Sequence, residues 1–277
     1  MSSATRFVLL VLLWASALRA APAELRVCAD PNNLPYSNQQ QQGFENALAQ
    51  MVGHDLGMAV TYTWSPQRHK FFRNTLEAGV CDVIMEVPAG IESARATIPY
   101  YRSTYVFVTR RDRDLLIRSF DDPRLHALRI GVQITGDNDD HLPTTSALLK
   151  RGLVSNLKGF NIFGKLSDEN PAANVIHAVA NKDVDVALVW GPLGGYFAKQ
   201  STEPLDVRTV CPAPSDQNLK FSFDISMGVR PGDDTLLEKL NAFITRRRAE
   251  ISRLLDSYAI PTLATPQVQC EEASPHA

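Results

Sequence analysis

The chain of 277 residues has no excess of basic side chains: 28 Lys and Arg stand against 30 Asp and Glu, a formal net charge of −2. Without a Lys- and Arg-rich face there is no electrostatic footprint for nucleic acid or for an anionic lipid surface, and nucleic-acid binding is excluded. The four cysteines form no C-x-x-C pair, so a redox dithiol, a zinc ribbon and a C-x-x-C-H haem attachment have no support. G-x-S-x-G, the P-loop and H-E-x-x-H are all missing, and the six histidines never fall at ligand spacing. One S-x-x-K match, Ser155 to Lys158, lacks any S-D-N or K-T-G after it and sits at a helix-to-strand turn, so it carries no acyl-transfer chemistry. These absences predict a protein with no cofactor, no resident metal and no catalytic centre of its own.

Long apolar runs are missing as well. Phe7 to Ala17 is about half the ~20 apolar residues that a bilayer span needs, and Val184 to Ala198 is broken by Asp185, Pro192 and three glycines. The first run follows a basic start at Arg6 and leads into Ala15-Ser16-Ala17 and Ala21-Pro22-Ala23. A positive start, a short apolar core and an Ala-x-Ala exit predict a secretory signal peptide over residues 1–23 and an exported chain with no membrane span after its removal. Loss of Arg6 and Arg19 leaves 26 basic side chains against 30 acidic ones, a net charge of −4.

What is present is an alternation of strand and helix patterns. Leu25 to Ala29 is a short apolar strand ending in the turn-forming cluster Asp30-Pro31-Asn32-Asn33-Leu34-Pro35. Phe44, Leu48, Val52 and Leu56, spaced by four and stopped by Gly57, predict a helix. Val60 to Trp64 reads as a strand, Phe72 to Gly79 as a second helix, and Cys81 to Val87 as a third strand. The pattern restarts with strands at Leu128–Val132, Leu157–Ile162 and Val184–Trp190 and helices at Thr144–Arg151 and Ala172–Asn181. Two such α/β units without a low-complexity linker predict two lobes, each built on a parallel sheet with right-handed crossovers. Val106–Thr109 and Ile225–Val229 are expected as the two crossings, and a helix from Asp234 to about Tyr258 returns to the first lobe. The expected boundaries are 24–108 plus 224–277 for lobe 1 and 109–223 for lobe 2.

Four cysteines in an exported chain predict disulfides, and three connectivities are possible. First and third strands of a β-α-β-α-β unit commonly lie side by side, which favours Cys28 with Cys81 and leaves Cys211 with Cys270.

The runs LRVCADPNNLPYSN, GFENALAQMVGHDLG, FFRNTLEAGVCDVIM and PYYRSTYVFVT, in that order, resemble the family 3 periplasmic solute-binding proteins of ABC transporters over nearly all of the exported chain. VCADPNNLPYSN, GVCDVIMEVPAG, IPYYRSTYVFVTR and VDVALVWGPLGGYFA are similar to the MxaJ and XoxJ type of J protein encoded beside PQQ-dependent methanol dehydrogenases. The resemblance implies a two-lobed α/β periplasmic binding protein type II fold with two crossing strands between the lobes and a site in the cleft. It also marks two departures from amino-acid receptors. Those place an Arg shortly before the Pro-Tyr-Tyr element, where this chain has Gly90 and Ile91 and no Arg nearer than Arg95; they also end the Val-Asp-Val strand with an Asp, where this chain has Trp190. Leaving both charges of a zwitterion desolvated and unpaired costs several kcal/mol each, which argues against an amino-acid ligand.

Ligands of open α/β sheets bind beyond the carboxyl ends of the strands. That rule selects Asp30, Tyr36, Glu86, Gln133, Thr135, Asp137, Trp190 and Gly191, with Arg102 in the Pro-Tyr-Tyr element, as candidate ligand residues. Glu86 is a lone acid in an apolar strand, so desolvation would raise its pKa as a general acid or base requires; acceptance of backbone hydrogen bonds at a strand end, without chemistry, is the favoured reading. Gly136 to His141 is an acidic cluster without the glycine and terminal Glu of an EF-hand loop, and helix capping accounts for it. Arg246-Arg247-Arg248 is expected to be a solvated helix face. Three functions remain: an accessory protein for a PQQ-dependent methanol or alcohol dehydrogenase or its cytochrome, a transporter receptor for a small non-zwitterionic solute, and an enzyme of lyase or dehydratase type resting on Glu86 alone.

Overall fold

The computed structural model describes residues 23–68, 70–135, 142–163, 168 and 170–264. In chain order the elements are β1 (Glu24–Ala29), β2 (Asn32–Asn33), β3 (Ser37–Asn38), α1 (Phe44–Leu56), β4 (Ala59–Trp64), α2 (Phe71–Asn74), β5 (Val83–Pro88), β6 (Arg95–Ala96) and β7 (Tyr101–Arg110). They continue with β8 (Ile130–Ile134), α3 (Pro143–Lys150), β9 (Leu157–Asn161), α4 (Asn174–Ala180), β10 (Val186–Trp190), α5 (Gly191–Gln200), β11 (Leu205–Thr209), β12 (Ser222–Val229) and α6 (Asp234–Ser257).

The strands lie in the order β4-β1-β5-β12-β7-β10-β8-β9, with β6 beside β12 and β11 beside β7. Within each lobe β4, β1 and β5, and likewise β10, β8 and β9, run parallel, as the alternation of helix and strand requires. Antiparallel β12 and β7 stand between the two groups and pair through Ser222–Ile225 and Tyr101–Thr104. The crossing therefore falls earlier on β7 than Val106–Thr109, which pair with β10 and β11 inside the second lobe. Alternation along β7 explains its apolar run: Tyr105 and Phe107 enter one core layer with Phe120, Ile130 and Leu148, while Val106 and Val108 enter the other with Val175, Ile176 and Leu193.

In the first lobe the stripe Phe44, Leu48 and Val52 of α1 buries against β1, β5 and α6. Adjacent β1 and β5 place Cys28 opposite Ile84, and Cys28 is bonded to Cys81 with Cα atoms 5.4 Å apart. Cys270 lies outside the described residues, so its pairing with Cys211 stays an expectation. Two arginines of the 246–248 run do more than face water: Arg246 and Arg247 hold the buried Asp55 carboxylate at 2.5 and 3.0 Å and tie α6 to α1. Burial raises that carboxyl, and the guanidinium hydrogen bonds outweigh it to leave Asp55 below its usual range.

Two helices depart from their local sequence signal. The second helix shrinks to the four residues of α2. Conversely, α5 forms through Gly191, Pro192, Gly194 and Gly195, residues with poor helix propensity. Pro192 sits in the first turn, where its missing N–H has no intrahelical partner to lose. Gly191 permits close packing, because a Cβ there would stand 2.5 Å from the Thr104 carbonyl oxygen.

Candidate functional site

The carboxyl ends of β1, β5, β8 and β10 meet the loop 30–43 in a crevice between the lobes. Asp30 closes β1 and is buried; its carboxylate accepts from the backbone N–H of Asn32 at 2.8 Å and of Gln67 at 2.5 Å. Burial raises its pKa against those two bonds and nearby Arg68. Asp30 thus holds the loop and the 65–68 turn together.

The loop then crosses to the other lobe. Leu34 packs into the second-lobe core with Val106, Val108, Val189 and Leu193, and Asn32 Nδ2 donates to the Asp168 carbonyl at 2.8 Å. Tyr36 follows, its ring 5.6 Å from Phe44 and its hydroxyl on the side of Trp190. Returning, the loop caps α1: Phe44 N–H donates to the Pro35 carbonyl at 2.8 Å and Glu45 N–H to that of Tyr36 at 3.0 Å. Gly43 makes this possible, since a Cβ would lie 1.9 Å from the Tyr36 carbonyl oxygen. The first amides of α1 are therefore spent on the protein's own loop and offer nothing to a ligand anion.

Trp190 ends β10 and touches both lobes. Its ring meets Tyr105 at 5.3 Å and Phe223 at 5.7 Å, and its backbone N–H donates to Gln133 Oε1 at 2.7 Å. Gln133 is buried at the end of β8, Thr135 follows it half-buried, and Gly191 packs on the backbone of β7. Asp137 and the cluster 136–141 lie outside the described residues.

Glu86 owes its direction to a bulge. Val87 stands opposite Ser226 and Ile84 opposite Gly228, so Met85 and Glu86 together face the single Met227. Glu86 accepts a hydrogen bond from the Tyr101 hydroxyl at 2.6 Å, not from backbone amides. Burial pushes its pKa up to about 7, with the Tyr101 bond acting the other way. Burial also pushes up Tyr36, Tyr100 and Tyr101, each raised further by Glu86.

Glu45, in the first turn of α1, belongs to this group and was not among the sequence candidates. It is buried, and desolvation first, then Glu86 and Asp30, raise its carboxyl well above the usual value. Its signal was its position on the buried stripe with Leu48, Ala49 and Val52. Arg102 stands apart: its Nε is 3.7 Å from Asp224, and it lines a cavity of about 220 Å³ with Arg248, Ser252 and Thr262 behind the crossing strands. Among the described residues no group of three or more His, Cys, Asp or Glu is placed to hold a metal ion.

Two lobes joined by antiparallel crossings, with the site at the strand ends between them, define a solute-binding protein. The chain belongs to the bacterial extracellular solute-binding proteins, family 3, whose model matches residues 25–260. Among individual proteins it is similar to the solved periplasmic binding protein XoxJ from Methylobacterium extorquens AM1, at 35% identity over 87% of this chain and 99% of that one with a TM-score of 0.72. It is also similar to Protein MoxJ of Methylorubrum extorquens, 28% identical over 90% of this chain and 85% of the relative. The MoxJ of Paracoccus denitrificans is 28% identical over 90% of this chain and 92% of the relative. No described helix is long and apolar enough to cross a membrane.

Proposed function

We propose that the chain is a periplasmic accessory protein of a PQQ-dependent methanol or alcohol dehydrogenase system, exported by the leader at 1–23, which binds the dehydrogenase or its cytochrome and assists assembly or activation. The lobes of this proposal run over 24–108 with 224–277 and over 109–223. Full-length similarity to XoxJ carries the reading. It is supported by the loop that bridges the lobes, where Leu34 packs into the second-lobe core, and by the missing charge partners for a zwitterion. The reading needs no catalysis by this chain, and a lyase role for Glu86 has only its raised pKa in favour.

Co-purification of the tagged chain with the dehydrogenase large subunit tests the proposal directly, together with dehydrogenase activity in a deletion strain. A complex and reduced activity are expected. No complex and full activity would overturn it. Family membership supports a second reading, a transporter receptor for a small non-zwitterionic solute; adjacent permease and ATPase genes would favour that one, and dehydrogenase and cytochrome genes the first.

A further inference from the structure

The run Arg246-Arg247-Arg248 divides its work. Arg246 and Arg247 are spent on Asp55, and Arg247 also reaches Glu250 at 2.8 Å. Arg248 lies a further ~100° round α6 and makes no ion pair or hydrogen bond among the described residues. Spacings of four and three put Arg248, Ser252 and Leu255 on one face of the helix. All three line the cavity of about 220 Å³ behind the crossing strands.

The opposite wall is the crossing itself. Arg102 on β7 and Asp224 on β12 are register partners, yet Arg102 Nε stands 3.7 Å from the carboxylate, too far for a hydrogen bond. The chain after α6 closes a third side. Ser103 Oγ donates to the Pro261 carbonyl at 2.6 Å and Leu263 N–H to the Arg102 carbonyl at 2.9 Å, which sets Thr262 and Leu263 in the cavity wall. Arg248, Ser252 and Thr262 are exposed, so the mouth opens to solvent. Tyr100 and Tyr101 line the cavity too, but their hydroxyls are committed to the Met85 carbonyl and to Glu86.

Two guanidiniums against one carboxylate leave the lining with one positive charge in excess. That balance suits a monoanion, whereas a dianion would carry a second charge beside Asp224 with nothing to meet it. Planar N–H forks match carboxylate oxygens, Ser252 and Thr262 add hydroxyl donors, and Pro99, Leu255 and Leu263 supply an apolar wall. An engineered cavity of about 150 Å³ takes benzene, so this one has room for a short alkyl chain. We propose that the cavity behind the crossing strands binds a small organic monocarboxylate, with Arg248 and Arg102 as its charge partners. Arg102 then divides its charge between the ligand and Asp224, and occupancy acts on the strand pair that joins the lobes. The site is separate from the crevice on the other side of those strands, and the inference is independent of any dehydrogenase partner.

The test is titration calorimetry of the full exported chain with sodium butyrate at fixed ionic strength, against sodium sulfate and butylammonium chloride. Butyrate is expected to bind saturably, sulfate more weakly and butylammonium not at all. Arg248 has no partner to lose, so Arg248→Gln should fold as wild type does and weaken butyrate about tenfold. Asp224→Asn removes the repelling charge and should tighten butyrate about threefold. Should Asp224→Asn not fold, Arg248→Gln decides alone. Unchanged butyrate affinity in Arg248→Gln would place the ligand elsewhere and overturn the proposal. So would the lack of saturable butyrate binding, sulfate bound as tightly as butyrate, or weaker butyrate binding in folded Asp224→Asn.

Discussion

The Tyr101 hydroxyl donates to Glu86 at 2.6 Å and so links β5 of the first lobe to the strand that crosses into the second. A carboxyl that desolvation raises to about 7 therefore sits on the hinge itself.

That carboxyl makes stability depend on pH. Its folded pKa lies above the unfolded value near 4.5, so the folded state binds the extra proton, and its contribution is complete below the unfolded value. It is lost as pH rises from about 4.5 to about 7. Urea midpoints measured across this window should fall with pH, and Glu86→Gln should make the decline shallower. An equally steep decline in the variant would show that Glu86 stays ionised.

Leu34 holds the lobes together through the second-lobe core. Leu34→Ala should weaken the closed arrangement by about 2 kcal/mol, roughly a thirty-fold shift toward open forms. Small-angle scattering should then give a larger radius of gyration, and chymotrypsin should cleave the 30–43 loop faster. Unchanged scattering and cleavage would mean that closure rests elsewhere.

The Cys28–Cys81 bond spans 53 residues and joins the two central strands of the first lobe. Chain-entropy arguments give a loop of this length about 4 kcal/mol. The Cys28→Ala, Cys81→Ala double variant should lose stability of that order in denaturant titrations, and wild type under reducing conditions should follow it. A loss under about 1 kcal/mol would contradict the loop-closure account.

Asp82 gathers β1, β5 and the end of β12: it accepts from the Arg26 amide and guanidinium, and Arg230 donates to it at 3.1 Å. Burial alone would raise its carboxyl, but these bonds hold it below the usual range. Both arginines are partly solvated, so Asp82→Ala should cost only about 1–2 kcal/mol. The wild-type contribution is present above the unfolded pKa and is lost as pH falls through the lowered one. Equal acid sensitivity in wild type and variant would remove Asp82 from the account.

Much of this architecture was legible because its causes are local. The period of four in α1, the glycine after α1 and the restart at Leu128 predict two parallel sheets without any knowledge of contacts. The Cys28–Cys81 pairing followed from strand adjacency alone. The strand-end rule also selected Gln133 and Trp190, which the Trp190 amide joins. Signals failed where propensity was overridden, as in glycine-rich α5, whose backbone must approach Thr104 and Ala259 closely.

Residue order by itself indicated two lobes and most of their strands and helices. Only tertiary structure decided what the crevice contains. A one-residue bulge aims Glu86 at Tyr101; the buried start of α1 adds Glu45; the loop drives Leu34 into the opposite lobe; and Arg102 turns away to Asp224. Each depends on groups far apart in sequence and brought within a few ångströms, which no local pattern encodes.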